Sequence, residues 1–324
     1  MSRRTCLTLQ LTMAAVCLCL IAQLSAGDNT KTPSPPKGQR VFTCGHSFHV
    51  WVVPILSEMA KAAGINDHAV PGVSRIGGSR VIQHWDVAEE KNEAKKALRA
   101  GGVDVLTLSP IWVVPPKDLK AVTPVPGDPR EITWLPDEGI EKFAKLALEH
   151  NPNVRVTVQE YWLPNDEYVP VYPLQTRKRF SHDDTDLAEL RKCQVRYDHD
   201  VDEFVRAINK RLGKDVIVTV PAGMATVALR EKVVAGKAPG LTKQSELFRD
   251  SWGHPTAPVQ VLATYCHFAV IYRRSPVGLP LPSVLAKNPA WDDKLNRLLQ
   301  ELAWEAVCKH PMSGVRAKGG QPAR

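Results

Sequence analysis

From Val41 onward, short apolar runs alternate with stretches of helical apolar spacing, and this alternation constrains the fold more than any other feature. Strand-length runs occupy Val41–Cys44, His68–Val73, Val103–Leu108, Val154–Val158 and Val216–Val220. Between them, Val50–Ala63, Val81–Ala100, Asp137–His150 and Asp183–Leu212 carry apolar residues at helical spacing. Asp137 is a good N-cap for a helix that places Ile140, Phe143, Ala144, Ala147 and Leu148 on one face. In the longest helix the stripe is Leu187, Leu190, Val201, Phe204, Val205, Ile208 and Leu212, and Gly213 stops it. Three further helices are expected: Ala222–Ala235, one that Pro255 starts and that runs to about Tyr272, and Ala290–Lys309. Repeated strand–helix alternation predicts a three-layer α/β fold with a parallel sheet. Ligands of such sheets bind at the carboxyl ends of the strands.

The first strand ends in Cys44-Gly45-His46-Ser47-Phe48-His49, directly before a helix. A strand, a glycine turn, a serine and a helix can lift a nucleophilic hydroxyl above the sheet edge. The helix N-terminus behind Ser47 offers backbone N–H groups to a developing oxyanion. Alone, this is a weak signal, and the segment reads better as a buried first strand ending in an ordinary Gly-Ser turn. It gains weight from Asp250-Ser251-Trp252-Gly253-His254-Pro255, which puts an acid and a histidine in a loop before the penultimate helix. Ile76-Gly77-Gly78-Ser79-Arg80 follows the second strand, and its glycines allow close backbone approach to a ligand or simply form a loop.

Two loops at the same edge are long. Ser109–Pro136 is proline-rich and holds Trp112 and Trp134; Glu160–His182 holds Tyr161, Trp162, Tyr168, Tyr172 and Phe180. Loops of this length in compact domains are usually functional or disordered. Their aromatics suit either stacking on sugar rings or packing of the loops against the body.

Residues 1–26 read as a secretory signal, with Arg3 and Arg4 before the apolar core Leu11–Ala22 and small residues Ser25-Ala26 at the cut site. That core is too short for a comfortable membrane span, so export to a periplasmic or extracellular space is expected, with no stable span afterwards. Residues 27–40 read as a disordered leader, 41–310 as one domain, and 311–324 as a loose basic tail. The chain of 324 residues carries a formal charge of +8, which falls to about +6 once Arg3 and Arg4 leave with the signal. No dense Lys/Arg block interleaved with aromatics remains, so nucleic acid is not an expected partner. Cys44, Cys193, Cys266 and Cys308 lie far apart within apolar-periodic segments, which suggests buried small hydrophobes, although export leaves one bridge open. The histidines are scattered singly, so neither a metal nor an organic cofactor is expected.

Gly45-His46-Ser47-Phe48, the Gly77-Gly78 turn and Asp250…His254 together resemble the SGNH (GDSL-like) hydrolase superfamily, in the form of exported members with a GHSFH first block. The resemblance covers roughly Val41 to Tyr272 and implies a flavodoxin-like, five-stranded parallel sheet between helices. It implies Ser47 as nucleophile, His254 as base and Asp250 as the acid that orients it, with the Ser47 and Gly78 N–H groups as oxyanion donors. It departs from the family pattern twice. The family's Asp-x-x-His places its acid three residues before the histidine; here that position is Ser251, and Asp250 lies four before. The family's Gly-x-Asn-Asp block is replaced by Leu108-Ser109-Pro110-Ile111-Trp112, and Gln159 is the remaining candidate amide. The expected activity is ester hydrolysis, with acetyl esters on carbohydrate as substrate and Trp112, Trp134, Gln159, Tyr161 and Trp162 as candidate substrate-binding residues. The alternatives are a non-catalytic carbohydrate-binding protein and a surface-interaction protein on the same fold.

Overall fold

The computed structural model describes residues 35–110, 138–166 and 181–316. The signal segment, Trp112, Trp134 and most of both long loops lie outside the described residues.

Five strands form one parallel sheet: β1 (Arg40–Gly45), β2 (Ala69–Arg75), β3 (Val105–Leu108), β4 (Arg155–Gln159) and β5 (Ile217–Val220). Their order is β2-β1-β3-β4-β5. The chain steps from β1 to one side and then returns to the other, so the switch point lies between β1 and β3. Ser47 leaves β1 at that point. β1, β3 and β4 are apolar along both faces because helices cover both; Phe42, Leu106, Val156 and Val158 are fully buried.

The helices are α1 (Val52–Ala62), α2 (Val81–Trp85), α3 (Glu93–Arg99), α4 (Glu138–His150), α5 (Leu187–Leu212), α6 (Ala222–Val234), α7 (Ala257–Tyr272) and α8 (Asp293–Lys309). α7 is buried nearly all round, from Pro258 to Tyr272, as a helix without a polar face must be. Asp186 caps α5 through the N–H groups of Ala188 and Glu189, and Gly213, at φ 67°, closes it. The long helix expected to begin at Asp183 therefore begins at Leu187, after a 3₁₀ turn at His182–Asp184.

Three sequence expectations change. Val81–Ala100 is not one helix: Asn92 donates to the carbonyls of His84, Trp85 and Val87 while accepting from Lys95 N, so it ends one helix and caps the next. The domain starts before Val41. Gln39 O accepts from Ala69 N, and Gly38 lies so close to Asp67 that a Cβ there would stand 2.2 Å from its carbonyl carbon. It also extends past residue 310. β5 is an edge strand whose Thr219 N–H needs an acceptor, and Met312 O provides it at 3.0 Å, while Ser313 and Val315 are buried. Cys44, Cys193, Cys266 and Cys308 are all free. Among the described residues, no helix is long and apolar enough to cross a membrane.

Candidate active site

Ser47 sits in a tight turn between β1 and α1. His46 O accepts from His49 N at 2.9 Å and from Val50 N at 3.0 Å, and the Trp51 indole N–H donates to Ser47 O at 3.0 Å. The serine Oγ lies 2.9 Å from His254 Nε2, across 207 residues of chain. His254 Nδ1 lies 2.7 Å from Asp250 Oδ2. With Nδ1 protonated toward the carboxylate, Nε2 is left to accept the serine proton.

The extra residue between acid and histidine is accommodated by the loop itself. Gly253 adopts φ 84°, a conformation glycine enters freely. Asp250 Oδ1 accepts from Trp252 N at 3.0 Å and from His254 N at 3.2 Å, so one carboxylate oxygen folds the loop and the other meets the imidazole. Partial burial works to raise the Asp250 carboxyl, but these hydrogen bonds outweigh it and hold it below the usual carboxylate range. An antiparallel bridge between Phe248 and Pro255 closes the base of the loop.

Tyr161 and Trp162 do not wall a cleft. They are 3% and 1% exposed and stack on each other at 5.5 Å. Phe48 packs on both and also stacks on the His254 ring at 4.4 Å. The Trp162 indole N–H donates to Gly253 O at 2.9 Å. These aromatics hold the histidine loop from beneath, because their large apolar area is better buried than exposed. Fully buried Arg230 fixes the same region by donating to Pro164 O, His182 O and Gln244 Oε1.

Gln159 is not an amide donor to the site either. It is fully buried; its Nε2 donates to Phe48 O at 3.1 Å, and its Oε1 faces His49 Nδ1 and His267 Nε2, each at 3.0 Å. His49 Nε2 meets Thr107 Oγ1 at 2.8 Å. This polar network runs under the serine turn and sets its height above the sheet. Burial pushes His49 down to about 4, so it stays neutral there.

The Gly77-Gly78 turn stands beside the serine turn, since Ile76 N donates to Gly45 O at 3.2 Å. Gly78 has φ 62°. His84, missed in the sequence, braces this turn: its Nδ1 lies 2.7 Å from Ser74 Oγ and its Nε2 2.8 Å from Ser79 Oγ. In the segment that stands in place of the family's Gly-x-Asn-Asp block, the Ser109 hydroxyl is buried 3.3 Å from His46 Nε2. A second residue missed in the sequence is Trp252, which is 59% exposed and two positions from His254. Nothing in its spacing marks it, because exposure of a loop residue is decided by the loop's fold.

No protein-family model matches the sequence, and no curated protein does. Among solved structures the chain is similar to a DUF4886 family protein from Bacteroides uniformis, at 13% identity and a TM-score of 0.48, over 84% of this chain and 95% of that one. It is similar to a candidate SGNH hydrolase from Slackia heliotrinireducens, at 14% identity and a TM-score of 0.40, over 71% and 97%. It is also similar to a candidate GDSL-like lipase from Parabacteroides merdae, at 15% identity and a TM-score of 0.37, over 72% and 95%.

Proposed function

We propose that this chain is an SGNH-type serine esterase that hydrolyses esters by acyl transfer through Ser47. One observation carries the reading: Ser47 Oγ, His254 and Asp250 stand in hydrogen-bond sequence, at 2.9 Å and 2.7 Å. In the first step Ser47 Oγ attacks the ester carbonyl while its proton passes to His254 Nε2. The Asp250 carboxylate stabilises the imidazolium that forms. The backbone N–H groups of Ser47 and Gly78 receive the oxyanion. Collapse breaks the bond to the alcohol, which leaves with the proton from His254. Water then attacks the acyl-serine, His254 takes its proton and passes it to Ser47 Oγ as the acyl–oxygen bond breaks, and the acid departs.

For substrate we propose acetyl esters on carbohydrate. With Tyr161 and Trp162 buried, the support is Trp252, an exposed ring beside the histidine. Export belongs to the same proposal and rests on the sequence of residues 1–26. A second reading, a carbohydrate-binding protein without turnover, is favoured by one feature, the absence of the family asparagine from Leu108–Trp112.

The test is acetate release from an aryl acetate and from acetylated oligosaccharides, by wild type and Ser47→Ala. Turnover lost in Ser47→Ala supports the esterase. Glycan binding without turnover in either protein establishes the second reading. A lower kcat/KM for the oligosaccharides alone in Trp252→Ala supports the carbohydrate assignment, and equal kcat/KM in wild type and variant removes it.

A further inference from the structure

We infer that Glu160, Asp202 and His310 form a binding site for one first-row divalent metal ion of the Zn2+ or Mn2+ class, built from none of the residues around Ser47. Glu160 follows β4, Asp202 lies on α5, and His310 follows α8. Their ligand atoms all lie within 4.8 Å of one another. Glu160 Oε1 is 3.0 Å from His310 Nε2, and Asp202 Oδ2 is 3.8 Å from the same nitrogen. An ion with ligands at ~2.0–2.2 Å holds neighbouring ligand atoms roughly 3–3.6 Å apart. The cluster needs only a small closure to reach that shell.

The second observation is the state of Glu160. It is fully buried, and neither of its carboxylate oxygens has a hydrogen-bond partner among the described residues. Oε1 approaches His310 Nε2 as an ion-pair contact, which answers one oxygen when that imidazole is protonated; Oε2 has neither kind of partner among the described residues. A buried carboxylate in that condition is costly unless a cation answers it. A further carboxyl lies close by. Asp198, one turn before Asp202 on α5, is buried with an unpartnered Oδ2. The nearby Arg206 reaches Asp202 Oδ2 only at 3.4 Å from a side chain 43% exposed.

Outer groups fit the ligand roles. With Nε2 on the ion, the His310 proton moves to Nδ1, which then donates to Thr219 Oγ1 at 3.1 Å in place of accepting from Met312 N at 3.3 Å. Thr219 Oγ1 in turn donates to Asp202 Oδ1 at 3.4 Å. Of the three, His310 alone lines a surface cavity of about 380 Å³, with Met224, Glu231 and Pro311. One imidazole with two carboxylates suits Zn2+ or Mn2+; Ca2+ takes six to eight oxygens at longer range. The ion would join β4, α5 and the C-terminal segment. No step of ester hydrolysis passes through it.

The test uses the full chain, stripped with chelator and dialysed. Calorimetric titration with Zn2+ and Mn2+ is expected to give one ion per chain for at least one of them, and saturation is expected to raise Tm by about 5 °C. Asp202→Asn and His310→Gln are expected to weaken binding at least ~100-fold. X-ray absorption of the loaded wild type is expected to report one imidazole and otherwise oxygen ligands, and this reading stands even if a variant fails to fold. Absence of one-to-one binding, a shell without imidazole, or affinity that survives both substitutions would overturn the site.

Discussion

Trp162, 1% exposed, donates its indole N–H to the carbonyl of Gly253 at 2.9 Å, so a buried ring on one loop fixes the residue before His254 on another. Trp162→Phe keeps most of the ring volume and removes this bond. Net loss of one such hydrogen bond is worth about 1 kcal/mol. We expect turnover of aryl and carbohydrate acetates to fall together, by roughly 5- to 10-fold, with Tm lowered by a few degrees. Loss confined to the carbohydrate ester, with Tm unchanged, would return Trp162 to the cleft wall.

Asp250 uses one carboxylate oxygen to fold its loop and the other to orient His254. Asp250→Asn can keep the oxygen that accepts from Trp252 and His254, so the loop should survive. Its amide N–H₂ then faces His254 Nδ1 and favours the wrong tautomer. Turnover is expected to drop by about 10²–10⁴-fold with Tm within about 2 °C of wild type. Near-wild-type kcat in that variant would remove Asp250 from the mechanism.

Gly78 adopts φ 62°, and a Cβ built there meets no atom within 4 Å. Gly78→Ala is therefore free of clashes but strained, by about 1–2 kcal/mol. The turn can relieve that strain by rotating its N–H away. If this N–H serves the oxyanion, kcat should fall by about 10-fold or more while KM stays within about twofold. A change in KM alone would mean that the turn binds substrate and leaves the transition state untouched.

Acid should destabilise the fold through its buried imidazoles. Burial pushes His46 down to about 3 and His49 to about 4; burial, then the charge of His49, pushes His84 to about 4. Unfolded, each would bind a proton near ~6.5. Their contribution is thus fully present above that value and is lost as pH falls toward 4, by up to a few kcal/mol per group. Burial raises Asp202 to about 6 and gives an opposite slope, which is common to wild type and His84→Gln. Tm measured from pH 7 to 4.5 should fall less steeply in His84→Gln. Identical slopes would show that His84 does not carry its share.

Periodicity alone placed all five strands to within two residues at their ends; for β1, β3 and β4 this is because a strand covered on both faces is mostly apolar, while edge strand β2 is largely exposed. The three-layer order followed. Ser47, Asp250 and His254 were singled out as candidates by turn and loop position, a glycine after a strand and a Trp-Gly loop before a proline-started helix, and by the family resemblance those motifs carry. What no local signal decides is which way a side chain faces once distant segments meet. Tyr161 and Trp162 have the composition of a sugar platform, yet packing against Phe48 and the His254 loop turned them inward. Gln159 looked like a spare amide and is held by His49, His267 and Phe48. Glu160, Asp202 and His310 share no spacing, and only the meeting of β4, α5 and the C-terminal segment gathers them. The sequence by itself determined the layers and the loops that bear Ser47, Asp250 and His254. The tertiary structure decided burial and pairing, because these depend on contacts between residues up to 225 positions apart, whose energy is felt only after the chain has closed on itself.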